Sequence, residues 1–465
     1  MLTFFDSDRA SGRRDFLKVG SLALGGMSLP WFLRPDARGE NPLLRDKSVI
    51  FLFLHGGPSQ FETFDPKMNA PANIRSATGE TATKIPGITF GGSFPKLAAR
   101  ADRLSIVRSF VTGDGNHDIK PIVSRDSFGA NLGSIFSRIR GSNDPDTGIP
   151  TNVALFPRAV EPMAQGANGV VNFPAFLTTG PFGSACAPFD PSGGGAVISN
   201  MRLNVAMNRL DDRRNLLRQL DGVQWALSEG RQVEALDRTQ QQAFDVILRG
   251  VGDAFDLNRE DPRLRERYDT APLVRPDQIS RRWNNYNNYV DNARSLGKLL
   301  LLARRLCERG CGFVTVTTNF VWDMHADNNN ATMTEGMGYM GGPLDHAVSV
   351  LLDDLQARGL SEKVLLVMCG EMGRTPRINN AGGRDHWGNL APLLLAGGGL
   401  RMGQVVGRSQ PNGGEPNSEP VRIPNLIATI LQTLVNTGEL RLLTGMPREI
   451  QQTLASHEPI AELMP

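Results

Sequence analysis

The residues able to bind a metal or carry a proton are few, and most of them follow short apolar runs. The six histidines are His55, His117, His325, His346, His386 and His457. His55 closes the run Val49–Leu54 in "VIFLFLHGGPSQFETFDPK". Asp323 and His325 stand two positions apart in "VTVTTNFVWDMHADN". In extended backbone, residues i and i+2 point to one side, so both can face a single ion. Glu371 follows "VLLVMCG" with Arg374 three positions on, and Asp385 and His386 lie in the glycine-flanked "GGRDHWGN". Imidazole combined with carboxylate is a donor set that suits zinc, manganese or iron, whereas calcium and magnesium want more oxygen. Each residue also has a plain structural reading. An Asp-x-His pair arises by chance, Glu371 can simply pair with Arg374, and one of Asp385 and His386 can orient the other instead of ligating. The repeated placement just past apolar runs is what sets the group apart. His346 lies beside an apolar helix stripe and reads as a surface residue, and His457 carries no assignment.

The elements that must position these groups follow from the apolar periodicity. Val49–Leu54 and the run from Val364 are continuous apolar stretches, the pattern of strands covered on both faces. Gly56, Gly57 and Pro58 stop the first of them, because glycine opens unusual backbone angles and proline lacks a donor. "SIVR" from Ser105 and "FVTVTT" from Phe313 read as further strands. Leu296, Leu299, Leu300, Ala303 and Cys307 share one helix face that Gly310 ends. Pro343 is expected to open a second helix, striped by Leu344, Ala347, Val348, Leu351, Leu352 and Leu355 and ended by Gly359. Helices alternating with apolar strands predict an α/β fold with a mostly parallel central sheet flanked by helices. In such sheets ligands bind outside the carboxyl ends of the strands. Residues 1–40 read as a leader and linker and 41–465 as the folded domain. Within it, 141–198 is rich in glycine, proline and asparagine and reads as long surface loops with short strands around a site. Residues 199–290 read as a helical insertion.

Composition narrows the partners. The chain has 465 residues, 40% hydrophobic and 21% charged, with a formal net charge of +2. Nothing in that balance supplies the basic field that nucleic acid demands. Four cysteines (Cys186, Cys307, Cys311 and Cys369) are too few for a disulfide framework. Cys307 and Cys311, one helical turn apart, can meet a metal or simply pack, and packing is the expectation. "SGRRDFLKVGSLALGG", with Arg13 and Arg14 ahead of Phe16, Leu17 and Lys18, resembles a twin-arginine export signal. Its apolar run is short and holds Gly25, Gly26 and Pro30, so no stable membrane span is expected. Export of an already folded chain suits a protein that acquires its metal first, and predicts a periplasmic or cell-surface location.

The blocks "FLFLHGGPSQFETFDPK", "VWDMH", "GEMGRTPR" and "GRDHWG", in this order, resemble the signatures of an exported, sulfatase-like bacterial family. That family belongs to the alkaline phosphatase-like superfamily, carries twin-arginine signals and has no settled activity. "LDHAVSVLLDDLQARGLSEKVLLVMCGEMG" resembles the superfamily's late helix–strand unit, which delivers a metal-binding acid. The resemblance implies metal at the strand carboxyl ends. Asp323, His325 and His386 stand in for the Asp/His set of one metal site. Glu371 and Met372 stand where the superfamily has an Asp-His pair, and His55 stands in place of the first-strand aspartate. One site or an altered pair is therefore expected instead of a standard two-zinc centre. The Cys/Ser-x-Pro-x-Arg nucleophile motif is missing. Ser59 comes too early in the chain to replace it, and Ser124 beside Arg125 is a weak candidate. Asn116 and His117 fall nearer the expected region and are read as contacts to substrate or metal.

The expectation is a metal-dependent hydrolase of a phosphate or sulfate ester, using water whose pKa the metal lowers towards ~7. Zinc or manganese is the expected ion, with His55, Asp323, His325, Glu371, Asp385 and His386 as candidate ligands. Arg374 and His117 are the candidate catalytic residues, Arg374 as a bidentate donor to the leaving oxygens. The expected partners are the twin-arginine export machinery and an anionic ester or exported polymer, with no nucleic acid. The alternative is an exported binding or assembly protein that keeps the fold without turnover.

Overall fold

A computed structural model describes residues 43–165, 173–193, 251–442 and 447–465. The leader with Arg13 and Arg14, and positions 199–250 of the expected helical insertion, lie outside the described residues. Positions 251–290 hold short helices, Val251–Phe255 and Pro262–Tyr268, and 3-10 turns before a long helix begins. Positions 141–165 and 173–193 hold one strand of the main sheet and a series of 3-10 turns such as Phe173–Leu177.

The main sheet is built from β1 (Ser48–Phe53), β2 (Ser105–Val107), β3 (Asn152–Leu155), β4 (Phe313–Thr317), β5 (Val364–Cys369), β8 (Leu393–Gly397) and β9 (Gln404–Val406). Two-residue strands β6 (Gly373–Arg374) and β7 (His386–Trp387) form a separate small pair. The order across the seven-stranded sheet is β9-β2-β8-β5-β1-β4-β3. Every neighbouring pair is parallel except those of β8, which runs antiparallel to both β5 and β2. The fold is therefore α/β with a mainly parallel central sheet, and β1 lies in its interior with β4 and β5 on either side.

Strand periodicity decides which layer each side chain joins. Ile50, Leu52 and Leu54 enter one core with helices α2 (Tyr286–Glu308) and α3 (Met333–Ala357). Val49, Phe51 and Phe53 enter the other, against α1 (Leu132–Arg140) and α4 (Ile423–Leu434). Burying both faces explains the unbroken apolar runs. Each fully buried Leu, Ile or Phe contributes roughly 1.5–3 kcal/mol of transfer free energy. The same alternation carries His55 to the Phe53 side of the sheet, where its ring lies 5.7 Å from Phe53 and 4.9 Å from Phe320.

Helix α3 corrects one expectation. It begins at Met333, ten residues before Pro343, which lies inside it. Thr332 is the reason: its hydroxyl accepts from the Glu335 amide at 3.2 Å, and it donates to the Glu335 carboxylate at 2.9 Å. That is the cap signature Thr-x-x-Glu, which outranks a proline as a start signal. Gly310 and Gly359, at φ +100° and +67°, end α2 and α3 as their positions predict. Cys307 and Cys311 are buried free thiols, consistent with packing. Among the described residues no helix is long and apolar enough to cross a membrane.

Candidate metal centre

The chain beyond β1 turns sharply through Gly56 and Gly57, and the segment after β4 is pinned to that turn. The His55 carbonyl accepts from the amides of both Val321 and Trp322, at 3.2 and 3.1 Å. This anchors Asp323 beside the first turn, 268 positions from His55 in the sequence. The β6–β7 pairing sets His386 directly across from Arg374. The loop carrying His117 lies against the same pair, with the amides of Thr112 and Gly113 donating to the Gly388 carbonyl at 3.1 and 3.0 Å.

Asp323 is the centre of the arrangement, 4% exposed. Its Oδ1 accepts from Arg374 Nη2 at 2.6 Å and lies 3.1 Å from His386 Nε2. Its Oδ2 meets His325 Nε2 at 3.0 Å, Asn330 Nδ2 at 3.2 Å and His117 Nε2 at 3.6 Å. The Nε2 atoms of His117 and His386 face each other at 3.0 Å. Among the described residues, His117, Asp323 and His386 form the one group of such side chains whose ligand atoms all lie within 4.8 Å of one another. Burial opposes the charge on Asp323, yet Arg374 and the hydrogen bonds from His325 and His386 outweigh it and hold the carboxyl well below the usual range. The hydrogen bond to Asp323 raises the pKa of His325.

Glu371, fully buried, stands behind His117. Its Oε1 accepts from His117 Nδ1 at 2.9 Å and from the Gly56 amide at 2.8 Å, while its Oε2 has no partner among the described residues. A proton held on Nδ1 by Glu371 leaves the Nε2 lone pair of His117 pointing at Asp323 and His386. Two imidazole nitrogens and a carboxylate oxygen converging on one point are a zinc-type donor set. With its proton on Nδ1 instead of donated to Asp323, His386 would present a second Nε2 lone pair 3.0 Å from that of His117, a repulsion that a shared cation would relieve. The residues present therefore fit a single small divalent ion.

Set against the sequence reading, Asp323 and His386 meet as expected, and His117 joins them as a third donor. His325 and Glu371 touch this group as its hydrogen-bond partners. Asp385 is exposed and turned away, its carboxylate accepting from Asn379 Nδ2 at 3.1 Å. Strand alternation explains this, since a residue adjacent to His386 faces the opposite side. Arg374 is corrected as a contact for leaving oxygens. It is fully buried, donating from Nε to the Gly57 carbonyl at 2.7 Å, from Nη1 to Arg384 at 3.2 Å, and from Nη2 to Gly56, Trp322 and Asp323. Ser59 is also buried, its hydroxyl accepting from the amides of Phe61 and Glu62. Asn330 went unread in the sequence, although three successive asparagines behind an Asp-x-His pair mark a polar turn.

His55 lies beneath the cluster, enclosed by Phe53, Phe176 and Phe320, and its Nδ1 has no hydrogen-bond partner among the described residues. Burial lowers its pKa, partly offset by Glu371. A folded pKa below the unfolded value gives stability that is present above about pH 6.5 and lost as pH falls. Thermal unfolding at pH 7.5 and 5.5 should show this loss, at most about 1.4 kcal/mol per pH unit from this one proton. His55→Phe should flatten that part of the profile, and an unchanged slope counts against the assignment.

Fold and site together define an α/β protein with a histidine–carboxylate cluster at the carboxyl ends of parallel strands. The chain belongs to the family described as "Protein of unknown function (DUF1501)", whose pattern matches residues 46–464. No curated protein matches the chain significantly. Among solved structures, the PsFucS1 sulfatase from Pseudoalteromonas sp. is 12% identical, covering 91% of this chain and 72% of its own, with a TM-score of 0.36. A phosphonate monoester hydrolase from Silicibacter pomeroyi is 12% identical, covering 83% and 73%, with a TM-score of 0.32. The lipoteichoic acid synthase LtaP from Listeria monocytogenes is 9% identical, covering 96% and 84%, with a TM-score of 0.33. Likeness at these scores is too loose to carry a reading of chemistry.

Proposed function

We propose that this protein is an exported, metal-dependent hydrolase of a phosphate or sulfate ester, with His117, Asp323 and His386 holding one divalent ion. The observation that carries the reading is the convergence of their ligand atoms within 4.8 Å, from three segments 63 to 269 positions apart in the sequence. When bound, such an ion polarises the ester and lowers the pKa of water. The chain's own residues do the rest. Glu371 orients His117, Arg374 and His325 hold Asp323 ionised, and Phe320 lies against the His117 ring at 4.6 Å. Zinc or manganese is the proposed ion, and the twin-arginine motif at Arg13 and Arg14 supports export to the periplasm or cell surface. The four signature blocks support placing the family in the alkaline phosphatase-like superfamily.

The rival reading, an exported binding protein without turnover, draws support from one observation. Arg374 and Ser59, a cation and a hydroxyl near the first turn, are both buried in backbone contacts. Two measurements decide. Elemental analysis of chelator-free protein should give about one zinc or manganese per chain, lost in Asp323→Ala and His386→Ala. Aryl phosphate mono- and diesters and aryl sulfates, assayed with added zinc or manganese, should show turnover lost in the same variants. Bound metal without turnover on any ester favours the binding protein, and no metal in wild type removes the hydrolase reading.

A further inference from the structure

Asp323 can accept about four hydrogen bonds, roughly two per oxygen. Both positions on Oδ2 are filled, by His325 Nε2 at 3.0 Å and Asn330 Nδ2 at 3.2 Å. On Oδ1, Arg374 Nη2 fills one position at 2.6 Å and His386 Nε2 the other at 3.1 Å. Of these four donors, His386 alone belongs to the group that converges with His117. If His386 turns its Nε2 lone pair to an ion, its proton moves to Nδ1 and one position on Oδ1 is freed. Oδ2 stays filled.

Asn330 is itself held in one orientation. It is 3% exposed, and its Oδ1 accepts from Asn285 Nδ2 at 2.7 Å, so its NH2 group faces Asp323. Its backbone amide donates to Asp327 at 2.6 Å. Asn284 repeats the pattern one position earlier, donating from Nδ2 to Asn329 Oδ1 at 2.8 Å. These paired asparagines tie the start of helix α2 to the turn behind Asp323.

We propose that Asn330, oriented by Asn285, is a positioning residue that restricts Asp323 to one coordinating oxygen, Oδ1, and so favours zinc over manganese. This rests on the metal reading above. One carboxylate oxygen and two imidazoles match four-coordinate zinc, whereas a carboxylate offering both oxygens suits manganese. His325, on this account, donates to Asp323 and does not ligate.

Zinc and manganese titrations against a chromophoric chelator test this, with thermal unfolding as a check on folding. Asn330→Ala should weaken zinc binding by about 10- to 100-fold, the usual effect of removing a ligand's hydrogen-bond partner. Manganese should be affected less, so the zinc-to-manganese affinity ratio falls. Asn330→Asp should weaken zinc binding, because a carboxylate oxygen would then face Oδ2. Asn285→Ala should shift the ratio in the same direction by a smaller factor, and it carries the test if Asn330→Ala does not fold. Asn287→Ala, exposed on the same helix, should leave both affinities unchanged. A merely structural role would lower the unfolding temperature without moving the ratio. Wild-type affinities and ratio in folded Asn330 and Asn285 variants would overturn the proposal alone, while no metal uptake by wild type overturns the metal reading and the proposal together.

Discussion

Replacing Arg374 by methionine should destabilise the protein by about 3–5 kcal/mol, the range for breaking a buried charge pair from one side. The side chain is fully buried, and its loss strands the Asp323 carboxylate together with the carbonyls of Gly56, Gly57 and Trp322. Those groups cannot recover water where they lie, so their desolvation is left uncompensated. Arg374→Lys should recover part of the loss, since an ammonium keeps the charge but lacks the planar fork that reaches several acceptors at once. Acid unfolding adds a second signature. The depressed pKa of Asp323 gives stability that is present above its unfolded pKa and lost as pH falls through its folded value. Arg374→Met should shrink that contribution and move acid unfolding to higher pH. Denaturant midpoints across pH measure both effects. A loss under about 1 kcal/mol, within the range of exposed pairs, would mean that Arg374 does not hold Asp323 as described.

Strands β1, β4 and β5 were legible because two-sided burial leaves an unmistakable mark. Val49–Leu54 is apolar at every position, and alternate residues divide between two cores. The reversal of β8 was not legible. A buried antiparallel strand between two helix-covered faces carries the same apolar run as a parallel one, so "PLLLAGGG" gives no hint of direction. The start of α3 was readable in Thr332 and Glu335, but Pro343 drew attention to the wrong turn.

Site residues divide along similar lines. Asp323 was accessible from its placement after a strand, and His386 from its glycine-flanked turn beside an acid. The role of His117 was less so, because it depends on a loop folding across the sheet to bring residue 117 against Glu371 and His386. Arg374 shows the opposite failure. An arginine near a strand end reads equally as an anion contact or a buried strut, and only its burial separates the two. Asp385 and His386 illustrate how adjacent residues part company once a strand forms, one facing the cluster and the other solvent.

Gly56→Ala should disrupt the site strongly, costing about 3 kcal/mol or more from backbone strain and overpacking together. Gly56 adopts φ +118°, and a Cβ built there would lie 2.5 Å from the Asp323 amide nitrogen and 2.9 Å from two backbone atoms of Trp322. Those contacts are with main chain, which cannot swing aside as a side-chain end can. Relief requires the segment carrying Asp323 to move away from the first turn. Movement there also strains the His55 carbonyl's bonds to Val321 and Trp322 and the Gly56 amide's bond to Glu371. Gly113→Ala separates the two causes of loss. It has a comparable φ of +101° but nothing within 4 Å of a built Cβ, so it bears the strain without the clash. Its cost should be about 1 kcal/mol, and its metal content should match wild type. On the proposed metal reading, Gly56→Ala should lose both stability and metal, because displacing Asp323 removes the carboxylate that His117 and His386 would share an ion with. Equal losses in the two variants would show that backbone angle alone, and not close packing of the β1 turn against Asp323, sets the geometry of the centre.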